Sequence, residues 1–358
     1  MPTNKRLEQP VFLMCSERSG SNLITKLFDA HPDFAAPGTS HLFRVFAEFG
    51  CRFEDQGVAL RDAILEMFDA KVSSWLLDQL ALEARQALLD PADGALGMVA
   101  TLMNAERERA EKARLFVKEN SIANYLTSLE SVSCDPSYLF MVRDPRDMAL
   151  SWEASPLLRG GVVRATNRWL DDQEGFLKAL RWLSPERRVA CLTYEALVSD
   201  PEGSLRKVCE RLEVPYSASM LQFHAHSRSA RADADRAAVW ANLSKPIIGD
   251  NRAKFVDRMS DDKLAFVEAR CGSLMEAFGY RRHRGVDQPP HGSHADLEAL
   301  TRALTAAEPW DKPGYGDLPR EERARFERWS QLYAQLQKRP FSPLTLGQSP
   351  ARPRAAST

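Results

Sequence analysis

The sequence predicts an α/β protein in three layers, with a central parallel sheet flanked by helices and a helical C-terminal extension. Short apolar runs alternate with segments of helical spacing, which is typical of parallel strands buried on both faces. After residue 282 the composition becomes linker-like, and two further helical patterns follow. The predicted strands cover residues 11–15, 33–37, 114–118, 137–143 and 187–193.

The first strand, Val11–Cys15, is entirely apolar and runs into the turn Ser16–Asn22. Apolar residues at helical spacing follow the turn, so the local order is strand, turn, helix. Gly20 lets the backbone approach an anion, and the first helical amides point outward at the positive end of the helix dipole. Further groups that can bind an anion are Ser19, Ser21, Asn22 and the charged Arg18.

This turn differs from the usual ATP and GTP loop, which has a second glycine and a lysine before serine or threonine. With Gly20 alone and Arg18 before it, the turn suits a shorter anion that is held without a metal ion. The alternative interpretation is an ordinary helix start capped by Ser19 or Ser21.

A long helical stretch separates the second and third predicted strands. Residues 59–70, 73–89 and 96–114 show helical spacing, with breaks at Pro91 and Gly94. Open α/β sheets bind ligands at the carboxyl ends of their strands, so this insertion is a natural place for contacts with a substrate. It fits equally well as a set of packing helices.

The strand at residues 137–143 ends in Arg143, and a second helix opens just after it. Pro145 stops the strand because it removes an amide and restricts its neighbour. Arg143 offers a planar fork for a phosphate, and Ser151 follows in the helix. In an alternative interpretation, the charged residues of this turn form only a solvated salt-bridged cluster of Arg143, Asp144, Arg146 and Asp147.

Three segments are expected along the chain: a catalytic domain at 1–282, a helical extension at 283–339 and a disordered tail at 340–358. Residues 295–306 and 318–338 are the helices of the extension. The second carries an apolar stripe that can pack on the catalytic domain, cover the acceptor pocket or bind a second subunit in a homodimer. The stripe consists of Phe326, Trp329, Leu332, Tyr333 and Leu336.

Composition narrows the function classes. The net charge of -1 provides no long-range attraction to nucleic acid or to an anionic membrane. No apolar run is long enough to span a bilayer, and the start lacks an apolar signal core, so we expect a cytoplasmic protein. The six cysteines show no metal-binding spacing, and we predict no metal site.

Two motifs together carry a resemblance to a known family. Arg18–Ser21 and Val142–Ser151 resemble the two cofactor motifs of the sulfotransferases that use 3'-phosphoadenosine 5'-phosphosulfate (PAPS), in particular the soluble bacterial type. Matches to Thr193–Pro201 and Phe278–Tyr280 extend the similarity over roughly residues 8–282. The resemblance implies a P-loop-like fold, a first motif that binds the 5'-phosphosulfate and a second that binds the 3'-phosphate.

The resemblance also implies individual roles. Tyr194 would reach the adenine, and Arg252 would close over the 3'-phosphate in a late segment, Gly249–Phe255. The full cofactor-binding set is Arg18, Ser19, Gly20, Ser21, Asn22, Arg143, Ser151, Tyr194 and Arg252.

Three residues are the predicted catalytic group. His41 is the candidate general base, because it resembles the position at which soluble relatives carry Glu-x-His or a nearby Glu; here Thr39 replaces the acidic residue. Lys118 would stabilise charge at the transferring sulfonate, and Arg18 would neutralise the departing 5'-phosphate. Glu119 is the competing base, or a strand-end carboxylate paired with Lys118.

The predicted reaction is transfer of a sulfonate from PAPS to a hydroxyl of a small molecule or glycan, with adenosine 3',5'-bisphosphate as product. A secondary metabolite or glycolipid is the favoured acceptor. A kinase-like phosphoryl transferase and a non-catalytic nucleotide-binding protein on the same scaffold are the alternatives.

Overall fold

The computed structural model describes residues 6–53, 57–283, 294–308, 312 and 314–340. Its seven described strands form a five-stranded sheet and a separate two-stranded pair. Both are parallel throughout. In chain order the strands are β1 (Leu7–Glu8), β2 (Val11–Cys15), β3 (Phe34–Ala35), β4 (Arg114–Lys118), β5 (Ser133–Cys134), β6 (Ser137–Val142) and β7 (Val189–Thr193).

The described α-helices cover both faces of the main sheet. Before β6 they are α1 (Ser21–Asp29), α2 (Leu42–Phe49), α3 (Val58–Asp69), α4 (Leu82–Leu88), α5 (Gly94–Arg109) and α6 (Leu126–Ser131). The next are α7 (Pro145–Glu153), α8 (Gly161–Trp182), α9 (Tyr194–Ser199), α10 (Pro201–Arg211), α11 (Phe223–His226) and α12 (Ala230–Arg236). The last are α13 (Phe255–Arg258), α14 (Asp261–Ala277), α15 (His294–Ala307) and α16 (Arg320–Lys338).

The central strand β2 shows why the molecule has three layers. The sheet order is β3-β4-β2-β6-β7, so β2 has a neighbour on each side. Alternate side chains of a strand point to opposite faces. Phe12 and Met14 enter one hydrophobic core, while Val11, Leu13 and Cys15 enter the other. The predicted α/β class with a central parallel sheet flanked by helices is therefore confirmed.

The five predicted strands are all present, with β3 shorter than expected. The predicted helix at 73–89 is wrong: a 3₁₀ turn at Leu76–Gln79 precedes the short α4. The amides of Leu76 and Leu77 donate to the Glu106 carboxylate at 2.8 and 3.0 Å, so a side chain from α5 binds groups at the start of that turn. Periodicity does not reveal such a distant partner.

The C-terminal helices pack on the rest of the chain. α15 contacts α8 and α14, and α16 contacts α2 and α3. Leu304 and Leu336 join the larger hydrophobic core. Residues 284–293, where we expect the linker, lie outside the described residues, as does all of the predicted disordered tail except residue 340. The domain boundaries stay a prediction.

Candidate functional site

The turn between β2 and α1 forms an open helix start. Gly20 is the N-cap residue, with φ of 87°, and no side chain caps the helix, so the interpretation of an ordinary cap by Ser19 or Ser21 is wrong. A Cβ at Gly20 would lie 2.4 Å from Cδ2 of Tyr194, which only glycine avoids. The first amides of α1 thus have no partner within the helix.

The two predicted motifs meet at this turn. Nη1 of Arg143 donates to the carbonyl of Arg18 at 2.8 Å, and Nε of Arg18 donates to Oγ of Ser151 at 3.1 Å. The Arg143 guanidinium lies 4.4 Å from the centroid of the Tyr194 ring. Residues that are far apart in sequence therefore form one cluster at the carboxyl ends of β2, β6 and β7.

Arg143 is not part of the salt-bridged turn that follows it. Arg146 binds Asp144 at 2.6 Å and Glu268 at 2.6 Å, and Asp144 also caps α7 by accepting from the Arg146 amide. Arg143 has no carboxylate partner among the described residues, although it is only 5% exposed. The alternative interpretation is thus right about a salt bridge between Asp144 and Arg146, wrong that this pair is solvated, since both residues are buried, and wrong for Arg143.

These residues line a common cavity, which we call the first pocket. Both Arg18 and Arg143 face it. The predicted cofactor residues that line it are Arg18, Gly20, Ser21, Asn22, Arg143, Ser151 and Tyr194. Trp240 and Asn251 also line it and were not predicted.

The other two predicted cofactor residues lie elsewhere. Ser19 is fully buried behind the turn, with no hydrogen-bond partner for its Oγ. Arg252 is exposed and outside the lining of the first pocket, whereas its neighbour Asn251 donates from Nδ2 to the Tyr194 hydroxyl at 2.7 Å. The late segment therefore reaches the pocket one residue earlier than the resemblance implies, and the role of Arg252 stays a prediction.

A second pocket adjoins the first and contains the other predicted catalytic residues. His41 and Lys118 line it, and it shares Arg18, Ser21, Asn22 and Trp240 with the first pocket. Lys118 donates from Nζ to Oδ1 of Asn22 at 2.6 Å. Burial lowers the pKa of the Lys118 ammonium to about 8. The structure thus brings His41, Lys118 and Arg18 together around the second pocket.

His41 precedes α2 in the left-handed region, with φ of 62°. Its Nδ1 is enclosed and has no hydrogen-bond partner. Burial, followed by the nearby charges of Arg44 and Lys118, holds the pKa of His41 well below its usual range. The imidazole is consequently neutral at pH 7 and able to accept a proton.

Glu119 lies beneath the start of α2 and is 2% exposed. Its Oε1 accepts from Oγ of Ser40 at 3.1 Å. The structure shows no ion pair between Glu119 and Lys118, whose Nζ binds Asn22 instead, so the predicted pairing of the two is wrong. Burial raises the pKa of the Glu119 carboxyl to about 7. Glu119 is absent from the lining of the second pocket, unlike His41.

The C-terminal helix supplies part of the second pocket. Phe326, Trp329 and Ser330 of α16 line it, as do Arg44 and Lys71. Two residues of the predicted stripe, Phe326 and Trp329, thus cover this pocket, whereas Leu332, Tyr333 and Leu336 pack on the larger hydrophobic core of the same chain. Sequence reasoning missed Arg44, Lys71 and Trp240, since no motif distinguishes them from surface or core residues.

Positive charge dominates where the pockets join. Arg18, Arg143, Lys118 and Arg44 form no ion pair within the described part of the chain. Burial, followed by the charge of Arg143, lowers the pKa of the Arg18 guanidinium. Arg143 is buried, and Arg18, Lys118 and Arg44 are half-buried. Cations removed from water are normally paired, so this arrangement is suited to an anionic ligand that brings the missing negative charge.

A sequence model of the sulfotransferase family matches residues 10–218, more than half of the chain. The chain belongs to the sulfotransferase family. A Caenorhabditis briggsae protein named "Putative protein-tyrosine sulfotransferase" is 23% identical over 228 residues, which cover 61% of this chain and 70% of the relative.

A solved sulfotransferase domain shares the fold. The sulfotransferase domain of the Synechococcus PCC 7002 olefin synthase superposes with a TM-score of 0.55 at 21% identity, covering 78% of this chain and 97% of that domain. The sulfotransferase domain from the curacin biosynthetic pathway superposes with a TM-score of 0.48 at 19% identity, covering 84% and 98%. No described helix of this sulfotransferase is both long and apolar enough to cross a membrane.

Proposed function

We propose that this sulfotransferase moves the sulfonate group of PAPS onto a hydroxyl of a small molecule or glycan, with His41 as general base. One observation carries the proposal. Arg18 and Arg143 line the same pocket without carboxylate partners among the described residues, and that pocket shares Arg18, Ser21, Asn22 and Trp240 with a second one that contains His41 and Lys118.

The residues of the first pocket fit a nucleotide with phosphates at two positions. The open start of α1 and Arg18 would hold the 5' end, and Arg143 with Ser151 would hold the 3'-phosphate. Nε of Arg143 is buried and has no hydrogen-bond partner among the described residues, as expected of a group that binds an anionic ligand. When bound, PAPS supplies the sulfonate group, and adenosine 3',5'-bisphosphate is left.

His41 would remove the proton of the acceptor hydroxyl. Its low pKa keeps the ring neutral, and a negatively charged donor beside Lys118 would raise that pKa and make the ring a stronger base. An alcohol is a poor nucleophile until its proton is taken during attack, so the base acts in the step that forms the new bond.

Lys118 and Arg18 would balance the charge that develops during transfer. Lys118 lies in the second pocket and binds Asn22, whose side chain lines both pockets. Its ammonium is thereby fixed where the pockets join, and fixed charges contribute most when a site excludes water. Arg18 lines both pockets as well, which suits a group that neutralises the departing phosphate.

Calorimetric titration of the full chain tests the donor. Adenosine 3',5'-bisphosphate is expected to bind without magnesium, and ATP with magnesium is expected to bind far more weakly. Binding of ATP alone would refute the proposal and favour a kinase-like phosphoryl transferase. Nucleotide binding together with a transfer rate that does not depend on His41 would favour a non-catalytic protein on the same scaffold.

A further inference from the structure

The second pocket is built partly by a helix that lies outside the matched family segment. That segment ends at residue 218, whereas α16 begins at Arg320. Phe326, Trp329 and Ser330 nevertheless line the pocket that contains His41. The acceptor side of this chain is therefore completed by a part of the sequence to which the family match assigns nothing.

The ring of Trp329 is packed between other side chains in the lining of the second pocket. Its ring stacks on Tyr333 with centroids 5.0 Å apart and meets the His41 ring edge-to-face at 5.4 Å. The guanidinium of Arg44 lies 5.5 Å from its centroid. A ring with neighbours on several sides loses little freedom when a ligand binds, so it is a preorganised contact surface.

The polar edge of Trp329 has no hydrogen-bond partner among the described residues. Its Nε1 is buried without a hydrogen bond, and the same is true of Oγ1 of Thr39 and Nδ1 of His41, both in the same pocket. Buried polar groups without partners are rare in folded proteins and need an explanation. An indole N–H can only donate, so the missing partner is an atom that accepts a hydrogen bond.

The residues that line the second pocket indicate the size and polarity of its ligand. Trp240, Phe326 and Trp329 are aromatic, and Leu157 and Leu158 add aliphatic surface. The cavity holds about 340 Å³, which is at the lower end of the range for small-molecule sites. Aromatic walls bind flat apolar rings better than they bind a fully hydroxylated sugar.

We infer that Trp329 is a specificity-determining residue for a flat, apolar acceptor such as a phenol, its ring packing on the acceptor and its Nε1 donating a hydrogen bond to an acceptor oxygen. This inference rests on the proposed function, because it names the acceptor class of that reaction. It assigns α16 to the active site as a substrate-binding element.

The test is calorimetric titration of the full chain with 2-naphthol, with and without saturating adenosine 3',5'-bisphosphate. Trp329→Phe keeps a ring and loses the donor, so 2-naphthol should bind about five- to tenfold more weakly, as for loss of one hydrogen bond. Trp329→Ala should weaken it by more than about tenfold. Leu332→Ala removes an apolar α16 side chain that is absent from the pocket lining, and it should stay within about twofold of the wild type.

The outcomes separate the two claims. Equal 2-naphthol affinity in all variants, no 2-naphthol binding to the wild type, or binding of D-glucose in preference to 2-naphthol would overturn the inference. The titration with 2-naphthol in the absence of nucleotide tests the role of Trp329 even if adenosine 3',5'-bisphosphate fails to bind. Adenosine 3',5'-bisphosphate should bind all variants as it binds the wild type, and only its failure to bind the wild type counts against the proposed function.

Discussion

The two pockets are made in different ways although they share a wall. The predicted residues that line the first pocket lie at strand ends and helix starts, where the parallel sheet brings them together, except Ser151, which lies near the end of α7. The second pocket combines His41, a loop near Leu158 and the distant helix α16. Sheet topology alone places the first set, whereas the second depends on how helices pack over the sheet.

The chemistry of the pockets differs in the same way. The first presents cations and open amides, which suit any nucleotide with phosphates at two ends. The second presents aromatic walls and polar atoms without partners among the described residues, which would select among acceptors in the proposed reaction. In the proposed reaction the first pocket would bind the donor and the second the acceptor, so variants on each side should affect different measured quantities.

The largest expected effect is on turnover. His41→Ala should lower the rate of adenosine 3',5'-bisphosphate release from PAPS with 2-naphthol as acceptor by roughly two orders of magnitude or more, as for loss of a general base. Nucleotide affinity should not change, because His41 does not line the first pocket. Steady-state rates and calorimetry on the same preparation check both statements.

Glu119→Gln is the matched variant for the base. Because Glu119 accepts from Ser40 and is absent from the pocket lining, its loss should lower turnover by less than about tenfold. A larger loss in Glu119→Gln than in His41→Ala would transfer the role of base to Glu119 and contradict the assignment.

Two buried arginines three residues apart provide the next contrast. Arg143→Ala should weaken adenosine 3',5'-bisphosphate binding by about 10- to 100-fold, the range for hydrogen bonds to charged groups. Its cost in unfolding free energy should be smaller than that of Arg146→Ala, since Arg143 binds two backbone carbonyls and its loss leaves no ion-paired carboxylate without its partner among the described residues. Titration and thermal unfolding measure the two effects separately.

Arg146→Ala should behave in the opposite way. Asp144 and Glu268 would lose their buried partner, which costs about 3–5 kcal/mol of unfolding free energy. Any protein that folds should keep most of its nucleotide affinity. If Arg146→Ala weakens the nucleotide more than Arg143→Ala does, the assignment of Arg143 to the ligand and Arg146 to the scaffold is wrong.

The same comparison shows how far the sequence could be interpreted. The run at β2 is apolar throughout, the run at β6 is apolar or aromatic after Ser137, and both end in charged turns, so both the strands and the anion site at their ends follow from periodicity. The contributions of Arg44, Trp240 and Trp329 could not be predicted, because a helical stripe indicates that a face is buried and not what it covers. Glu106 overrides the helix expected at 73–89 for the same reason, since its partners lie about thirty residues away.

Lys118 links the pockets and should make nucleotide affinity depend on pH. Its pKa of about 8 means that it is charged below pH 8 and neutral above it. Affinity for adenosine 3',5'-bisphosphate should therefore be flat near pH 7 and fall by up to about tenfold per pH unit above 8, as one coupled proton requires. Lys118→Arg should remove that slope because arginine stays charged. A slope that persists in Lys118→Gln would assign it to another group.

The smallest expected effect concerns the late segment. Asn251 lines the first pocket, and its carbonyl accepts from Nη2 of Arg143 at 3.3 Å, whereas the Arg252 side chain is exposed. Charge contacts at exposed positions are screened by water and salt. Arg252→Ala should thus weaken adenosine 3',5'-bisphosphate binding by about threefold or less at physiological salt, and Asn251→Ala should weaken it more.

A loss above about tenfold in Arg252→Ala would show that the segment 249–255 moves onto the nucleotide, because the exposed side chain could contribute that much only after leaving solvent. Such a result would mean that part of the donor site forms only when this loop moves. Sheet topology would then place only Arg18 and Arg143 at the donor site, and the contrast with the acceptor side, which helix packing places, would be limited to these two residues.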